Sequence, residues 1–514
     1  MSLAYGLLLS LWLGAEAGFL VFRSQPRYTS TASEDEEAAS AEKLMEEKAM
    51  SDNEKGPPTP EPLKEENARL FCVRTAHMPV LRASAEFVMI MGYVYICDRT
   101  TLISKGPKLL TKTGFWCVNA LILLAGVLSR RHNHGMSDAT AEAKPLQRDQ
   151  TEEWKGWMQI MFVLYHYFNE AEIYNAIRIY IAAYVWMTGF GNFSYYYIKA
   201  DFSLLRFAQM MWRLNFFVFF VCVTMNNEYM LYYICAMHTF FTWLVYFALF
   251  IAHKYNRSNL VLFVKIVITL GVSIVLYDVP GVFHAVMAPF KFLLDFHDPL
   301  HPEFTDALHE WFFRSGLDHF VWIFGMFCAF SFPFCEAKLM AIERLQGSQK
   351  SLAKLGLFGG ATAVGVWWYV YYFSLPKKEY NKVHPYTSFI PIAVYMVLRN
   401  VSPLLRRWHM HLFAWTGKIT LETYILQFHI WMKTTGINGS PKSLMVLIPG
   451  WYWTNFVLIS AVYVFISLRV FQITNLLKDA VIPKDSAIEI LKRLALICAT
   501  IGAFYAAGFL LKGA

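Results

Sequence analysis

The chain has 514 residues, of which 56% are hydrophobic, 17% aromatic and only 16% charged, with a formal net charge of +8. A mean hydropathy of +0.35 excludes an ordinary soluble enzyme of several domains, because runs of about 20 apolar residues, the signature of bilayer-spanning helices, recur from end to end. The eight cysteines form no CxxC pair and lie mostly inside apolar runs, so they favour neither a disulfide framework nor a zinc site, and the positive charge is spread over many loops rather than gathered into a nucleic-acid face.

In chain order, SLAYGLLLSLWLGAEAGFLVF (2–22) reads as a first membrane helix rather than a cleaved leader. The acidic, proline-containing tract within 23–79 reads as a disordered linker. Further spans are expected near 80–97, 113–129, 154–170, 173–195, 202–225, 229–251, 259–277, 316–334, 355–375, 386–400, 409–432, 449–470 and 488–511. Arg82 and Glu86 make the 80–97 span the weakest. The fold class is therefore an all-α polytopic membrane bundle of about 13–14 transmembrane helices. The expected divisions are accessory helices and a loop over 80–150, a main membrane domain over 151–475, and a C-terminal helix over 476–514.

Basic loops set an orientation. Lys254 and Arg257, then Lys338, Arg344 and Lys350, then Arg399, Arg406 and Arg407 assign 252–259, 335–354 and 399–408 to the cytosol. Alternation then puts the loop at 98–112 on the far side, against the charge of its Arg99, Lys105, Lys108 and Lys112. The sequon Asn438-Gly439-Ser440 also falls on the far side.

Ionisable groups inside the spans carry the chemistry. One such residue at the centre of a membrane helix costs roughly 2.5–3.5 kcal/mol, so its default reading is functional; the rival is an interhelical hydrogen-bond network that only holds the bundle together. His166, His238, His319 and His429 are expected at similar depth toward the far side, with Glu170 and Asp318 among them. His166 and Glu170 are four apart, on one helix face, where a carboxylate orients an imidazole as a general base. In TLETYILQFHIWM (420–432), Glu422 and His429 are seven apart and share a face in the same way. Either His166 or His429 is the expected base. Gln427, Tyr424 or Asn175 is placed to hydrogen-bond a carbonyl as negative charge develops, and Tyr174 lies beside Asn175. Arg206 and Arg213, seven apart in the cytosolic half of their span, form with Arg178 a basic group suited to a phosphate-rich donor such as a coenzyme A thioester. No metal ligand set is expected.

The runs EWKGWMQIMFVLYHYFNEAEIYNAIRIYIAAYVWMTGFGNFSYYY, DFSLLRFAQMMWRLNFFVFF, NNEYMLYYICAMHTFFTW and TLETYILQFHIWM resemble the multi-spanning glycan O-acetyltransferase family. Its members include the plant Reduced Wall Acetylation proteins, the fungal capsule O-acetylation protein and the animal sialate O-acetyltransferase. The resemblance covers roughly 150–475. It implies a multi-pass Golgi membrane protein, embedded in lipid, that uses cytosolic acetyl-CoA to supply acetyl groups for O-acetylation of cell-wall polysaccharide or other glycans in the lumen. Fungal and animal members carry a lumenal SGNH-type domain after the first helix. This chain has a short acidic linker there and in that respect is similar to the plant proteins, which work with a separate lumenal O-acetyltransferase. The alternative reading is a transporter that delivers acetyl-CoA, or an acetyl donor, to such transferases.

Overall fold

The computed structural model describes residues 78–109, 111–132 and 145–482, together with 69–70, 73–74, 488, 492, 493 and 495. The expected first helix at 2–22, the linker as far as residue 68 and most of the expected span at 488–511 lie outside the described residues. Two compact units divide the chain, residues 1–89 with 498–514, and residues 90–497. In the first, Arg69–Leu70 pairs antiparallel with Val73–Arg74. Helix α1, Met78–Arg99, begins in that unit and ends in the second, and Ser84 Oγ donates to Val80 O within its first turns.

The second unit is helical almost throughout. After α1 come α2 (Lys112–Leu128), α3 (Arg148–Phe168), α4 (Tyr174–Lys199), α5 (Leu204–Met225), α6 (Tyr233–Phe250) and α7 (Asn259–Asp278). They are followed by α8 (His309–Leu317), α9 (Val321–Arg344), α10 (Gly347–Trp368), α11 (Lys377–Thr387) and α12 (Phe389–Asn400). The bundle closes with α13 (His411–Lys418), α14 (Thr420–Leu426) and α15 (Tyr452–Val481). Among the described residues, six helices are long and apolar enough to cross a bilayer: Met78–Arg99, Leu204–Met225, Tyr229–Phe250, Asn259–Asp278, His309–Arg344 and Tyr452–Val481. Helices α3 and α4 miss that measure because they carry polar groups into the interior: Gln150, Glu153, Gln159, Arg178 and Asn192 are all buried. By contrast α7 turns Val264, Val267, Ile268, Val272 and Val275 outward, the composition of a lipid-facing surface.

Small residues let the central helices touch backbone to backbone. A Cβ on Gly156 of α3 would lie 1.8 Å from Phe413 O, and one on Gly417 of α13 would lie 2.1 Å from Glu152 O. Gly189 of α4 and Gly325 of α9 make the same kind of crossing, 1.9 Å from Trp322 O and 2.3 Å from Trp186 O. In lipid, where apolar burial drives little association, such close packing is a main source of helix–helix affinity.

Two small sheets mark opposite ends of the bundle. At one, β1 (Ser104–Gly106) pairs with β5 (Pro441–Val446), which also pairs with β4 (Met432–Thr434). At the other, β2 (Arg130–His132) pairs with β3 (Trp408–Met410). The 17 residues of α2 join the two ends, a rise of about 25 Å. The loop at 98–112 therefore shares its end with 432–446 and is separated from 399–410. Its basic residues have local work. Arg99 donates to Met225 O and Asn227 Oδ1 (both 2.8 Å), Lys108 to His166 O (2.7 Å), and Lys112 forms an ion pair with Glu172. Charges used this way do not report the cytosolic side. At the same end Asn438 is buried and accepts the Glu228 N–H at 2.7 Å, so that sequon is not presented on the surface.

The span expected as one helix over 409–432 is broken. β3, α13 and α14 lead into a π turn over Gln427–Trp431 and then β4. π turns are rare and concentrate at functional sites.

Candidate active site

That π turn places two histidines in different settings. His429 is fully buried and both its ring nitrogens are used: Nδ1 meets Asp98 Oδ2 at 2.9 Å, and Nε2 meets the Tyr232 hydroxyl at 2.6 Å. Asp98 also accepts the Thr434 N–H and hydroxyl, both at 2.7 Å. Asn227 donates to the Tyr232 hydroxyl at 3.0 Å. The cluster joins the end of α1, the start of α6, the π turn and β4, with its hydrogen-bonding groups closed on one another.

His166, on the last turn of α3, is half-buried. Its Nδ1 lies 3.2 Å from Gln427 Oε1. The Gln427 amide donates through Nε2 to Tyr424 O at 3.1 Å. A carbonyl oxygen only accepts, so this second bond fixes which way the amide points. Oε1 must face the imidazole and accept from Nδ1–H. That leaves the lone pair on Nε2, which has no hydrogen-bond partner among the described residues. An imidazole held in this tautomer is preorganised as a general base.

Phe162 and Phe428 wall this corner. Phe162 stands 4.6 Å from the His166 ring and 6.0 Å from Tyr424, and Phe428 stands 6.5 and 5.9 Å from the same two rings. The Tyr424 hydroxyl is buried without a hydrogen-bond partner among the described residues. A buried orphan donor calls for an explanation, and beside a candidate base it has the chemistry of an oxyanion donor.

The domain described as a 10 TM acyl transferase domain found in Cas1p matches residues 15–494. The chain belongs to this acyltransferase family. It is 32% identical, over 431 residues, to the N-acetylneuraminate (7)9-O-acetyltransferase of Danio rerio. That alignment takes in 80% of this chain and 52% of the fish protein, so the chain spans about half the length of that curated relative. No solved structure matches the chain.

Several partners expected within this acyltransferase domain differ from those observed. Glu170 does not orient His166: α3 ends at Phe168, Asn169 turns left-handed with φ 54°, and the chain leaves the helix before Glu170. Gln427 takes that place. Glu422 does not reach His429, because the wider π turn rotates the ring off the face that seven-residue α spacing implies. Glu422 is instead fully buried against Arg213, with contacts of 2.5 and 3.1 Å. Arg213 is thus a paired cation. So is Arg178, 1% exposed, whose Nη2 lies 3.0 Å from Asp318 Oδ2 near the β1 end, away from Arg206. Asp318 also lies 3.4 Å from His384 Nε2, while the adjacent His319 binds Gly316 O and stacks on Tyr277. Asn175 spends its amide on Phe373 O and Leu375 O (2.8 and 2.9 Å), carbonyls left by a second π turn at Tyr369–Phe373. Tyr174 is bonded to Asn381. His238 bonds Thr188 at 2.6 Å, 14 residues past the start of α4 or about 21 Å along it, so it lies deeper than the other histidines. Arg206 is half-buried, stacked over Tyr195 at 4.3 Å with one weak 3.5 Å contact to Gln209, which leaves its charge open to a phosphate.

Asp98, Tyr232 and His384 have no site role in the sequence reading, and Lys108 counts there only as a loop charge. Asp98 has a legible signal, a carboxylate ending the apolar run VMIMGYVYIC. The others have none, because the partners that set their roles lie on other segments, His429 for Tyr232, Asp318 for His384 and the His166 carbonyl for Lys108.

Proposed function

We propose that this chain is a membrane O-acetyltransferase that moves the acetyl group of acetyl-CoA to a hydroxyl of a glycan, cell-wall polysaccharide in particular, in the Golgi lumen, in the plant-type arrangement with a separate lumenal transferase. The observation that carries this reading is the free Nε2 of His166, its tautomer fixed by Gln427 and Tyr424 O. Acetyl-CoA supplies an activated thioester. Arg206, at the β2 end of α5, receives its phosphates. His166 Nε2 takes the proton of the acceptor hydroxyl as the new C–O bond forms, and returns it to the sulfur as the C–S bond breaks. Tyr424 donates to the oxygen that gains charge. Gln427 holds the imidazolium through Nδ1–H. The Asp98–His429–Tyr232 cluster holds the π turn that presents Gln427.

The test is incubation of purified protein with labelled acetyl-CoA and either xylan oligosaccharides or a sialoside. The expected result is labelled ester in the glycan with equimolar release of free coenzyme A. Binding of labelled acetyl-CoA with no release of coenzyme A, under both acceptors, turns the reading to a donor carrier.

A further inference from the structure

A cavity of about 1000 Å³ lies between α2, α3, α12 and the segment 404–413, clear of the His166 corner. Its walls are Trp116, Leu123 and Val127 of α2, Trp157 and Met161 of α3, and Phe413. The three α2 residues are 47%, 54% and 47% exposed, so the cavity opens sideways, on the face that α2 turns outward. Its charged groups gather at the β2 end. There Glu153 and Arg399 pair at 3.2 Å and neutralise each other, and Glu153 also accepts the Met410 N–H at 2.7 Å. What remains in excess is cationic. Arg130 lines the mouth with its guanidinium 5.8 Å above the Trp408 ring, and Arg131 follows it on exposed β2. Neither forms an ion pair or side-chain hydrogen bond among the described residues. The His132 ring lies against Trp408, centroids 3.6 Å apart and tilted by 36°, a tryptophan of the kind that marks a membrane–water interface.

We infer that this groove is a phospholipid site: an acyl chain lies along Trp116, Leu123 and Trp157, and an anionic phosphate headgroup sits on Arg130 and Arg131. An apolar channel open to the bilayer, ending in unpaired arginines at interfacial depth, matches the two-part chemistry of such a lipid. The acetyl donor matches it poorly. Its adenosine and pantetheine amides need polar partners along their length, whereas in this groove Glu153 and Arg399 are bonded to each other, Asn119 donates to Phe115 O, and most of the remaining wall is apolar. Arginine heads that merely reach toward water would lie at the same depth, and the lipid stoichiometry separates the two.

The experiment is native mass spectrometry of the full chain extracted in mild detergent, with the retained lipid identified by fragmentation. Wild type is expected to retain about one anionic phospholipid per chain. In the double variant Arg130→Ala, Arg131→Ala the retained anionic lipid falls by about tenfold or more relative to phosphatidylcholine. Leu123→Trp fills the channel and lowers retention of both lipids. Both sites are exposed, and the thermal midpoint of each purified variant verifies its fold. Equal anionic-lipid retention in wild type and the double variant overturns the proposal. So does displacement of the lipid by acetyl-CoA, which would make the groove a donor site.

Discussion

Two histidines at the same end of the bundle differ in how their ring nitrogens are engaged and in how deeply they are buried. His429 has both nitrogens engaged, by Asp98 and Tyr232, and is fully buried. His166 has one nitrogen engaged, by Gln427, and is half-buried. A base needs an orienting partner on one side and an open lone pair on the other. Only His166 has both, which is why the proposed mechanism makes it the base and gives His429 a structural part, although the two share residue type and membrane depth.

That comparison breaks most visibly at Asp98. His429→Ala leaves the Asp98 carboxylate buried without its imidazole, a loss of the order of 3–5 kcal/mol for a buried pair. The expected outcome is a large fall in thermal midpoint and in folded yield, measured by fluorescence-detected size exclusion, rather than a folded but inactive protein. A folded, stable His429→Ala protein with no activity would exchange the roles of the two histidines. Tyr424→Phe sharpens the other side. It removes an orphan hydroxyl, so the thermal midpoint should hold or rise, while coenzyme A release falls by roughly 10²–10³-fold if that hydroxyl serves the oxyanion. Gln427→Leu frees the His166 tautomer, and a loss of roughly 10–100-fold in turnover is expected, with KM for acetyl-CoA little changed. An unchanged turnover would remove Gln427 from the account.

The smallest expected effect concerns the loop that pins the same corner. Burial, helped by the nearby charge of Lys442, lowers Lys108 from its ordinary 10.5 to about 8. The unfolded chain therefore binds this proton more tightly than the folded one, and the resulting penalty fades as pH rises from about 8 toward 10.5. Stability of the wild type relative to Lys108→Met should rise across that window. A constant or falling difference in thermal midpoint would show that the ammonium is not desolvated there.

Much of the bundle is legible in the sequence because apolar length and helix geometry are local properties. Met78–Arg99, Lys112–Leu128, Leu204–Met225 and Asn259–Asp278 lie within three residues of the spans read from hydropathy alone. The site is less legible, and for a specific reason. Residues such as His166, Tyr424, Gln427 and His429 stand out as polar groups in apolar runs. Their pairings depend on two events that periodicity does not encode, the end of α3 before Glu170 and the π turn at Gln427. Each moves a partner off the expected face: Glu422 pairs with Arg213 instead, and Glu170 lies beyond the end of α3, buried but away from the His166 ring. The arginine group dissolves for the same reason: Arg213 finds a buried carboxylate on a distant helix and Arg178 one in the turn between α8 and α9, and of the three only Arg206 forms no ion pair among the described residues.

The most direct test of the central claim is the rate of coenzyme A release by purified His166→Ala protein, measured with glycan acceptor in the presence and absence of added imidazole. The account predicts a fall of roughly 10²–10⁴-fold against wild type, an unchanged thermal midpoint and partial recovery with imidazole, which restores a base where the side chain was removed. A wild-type rate, or a loss that follows unfolding and resists imidazole, would contradict it.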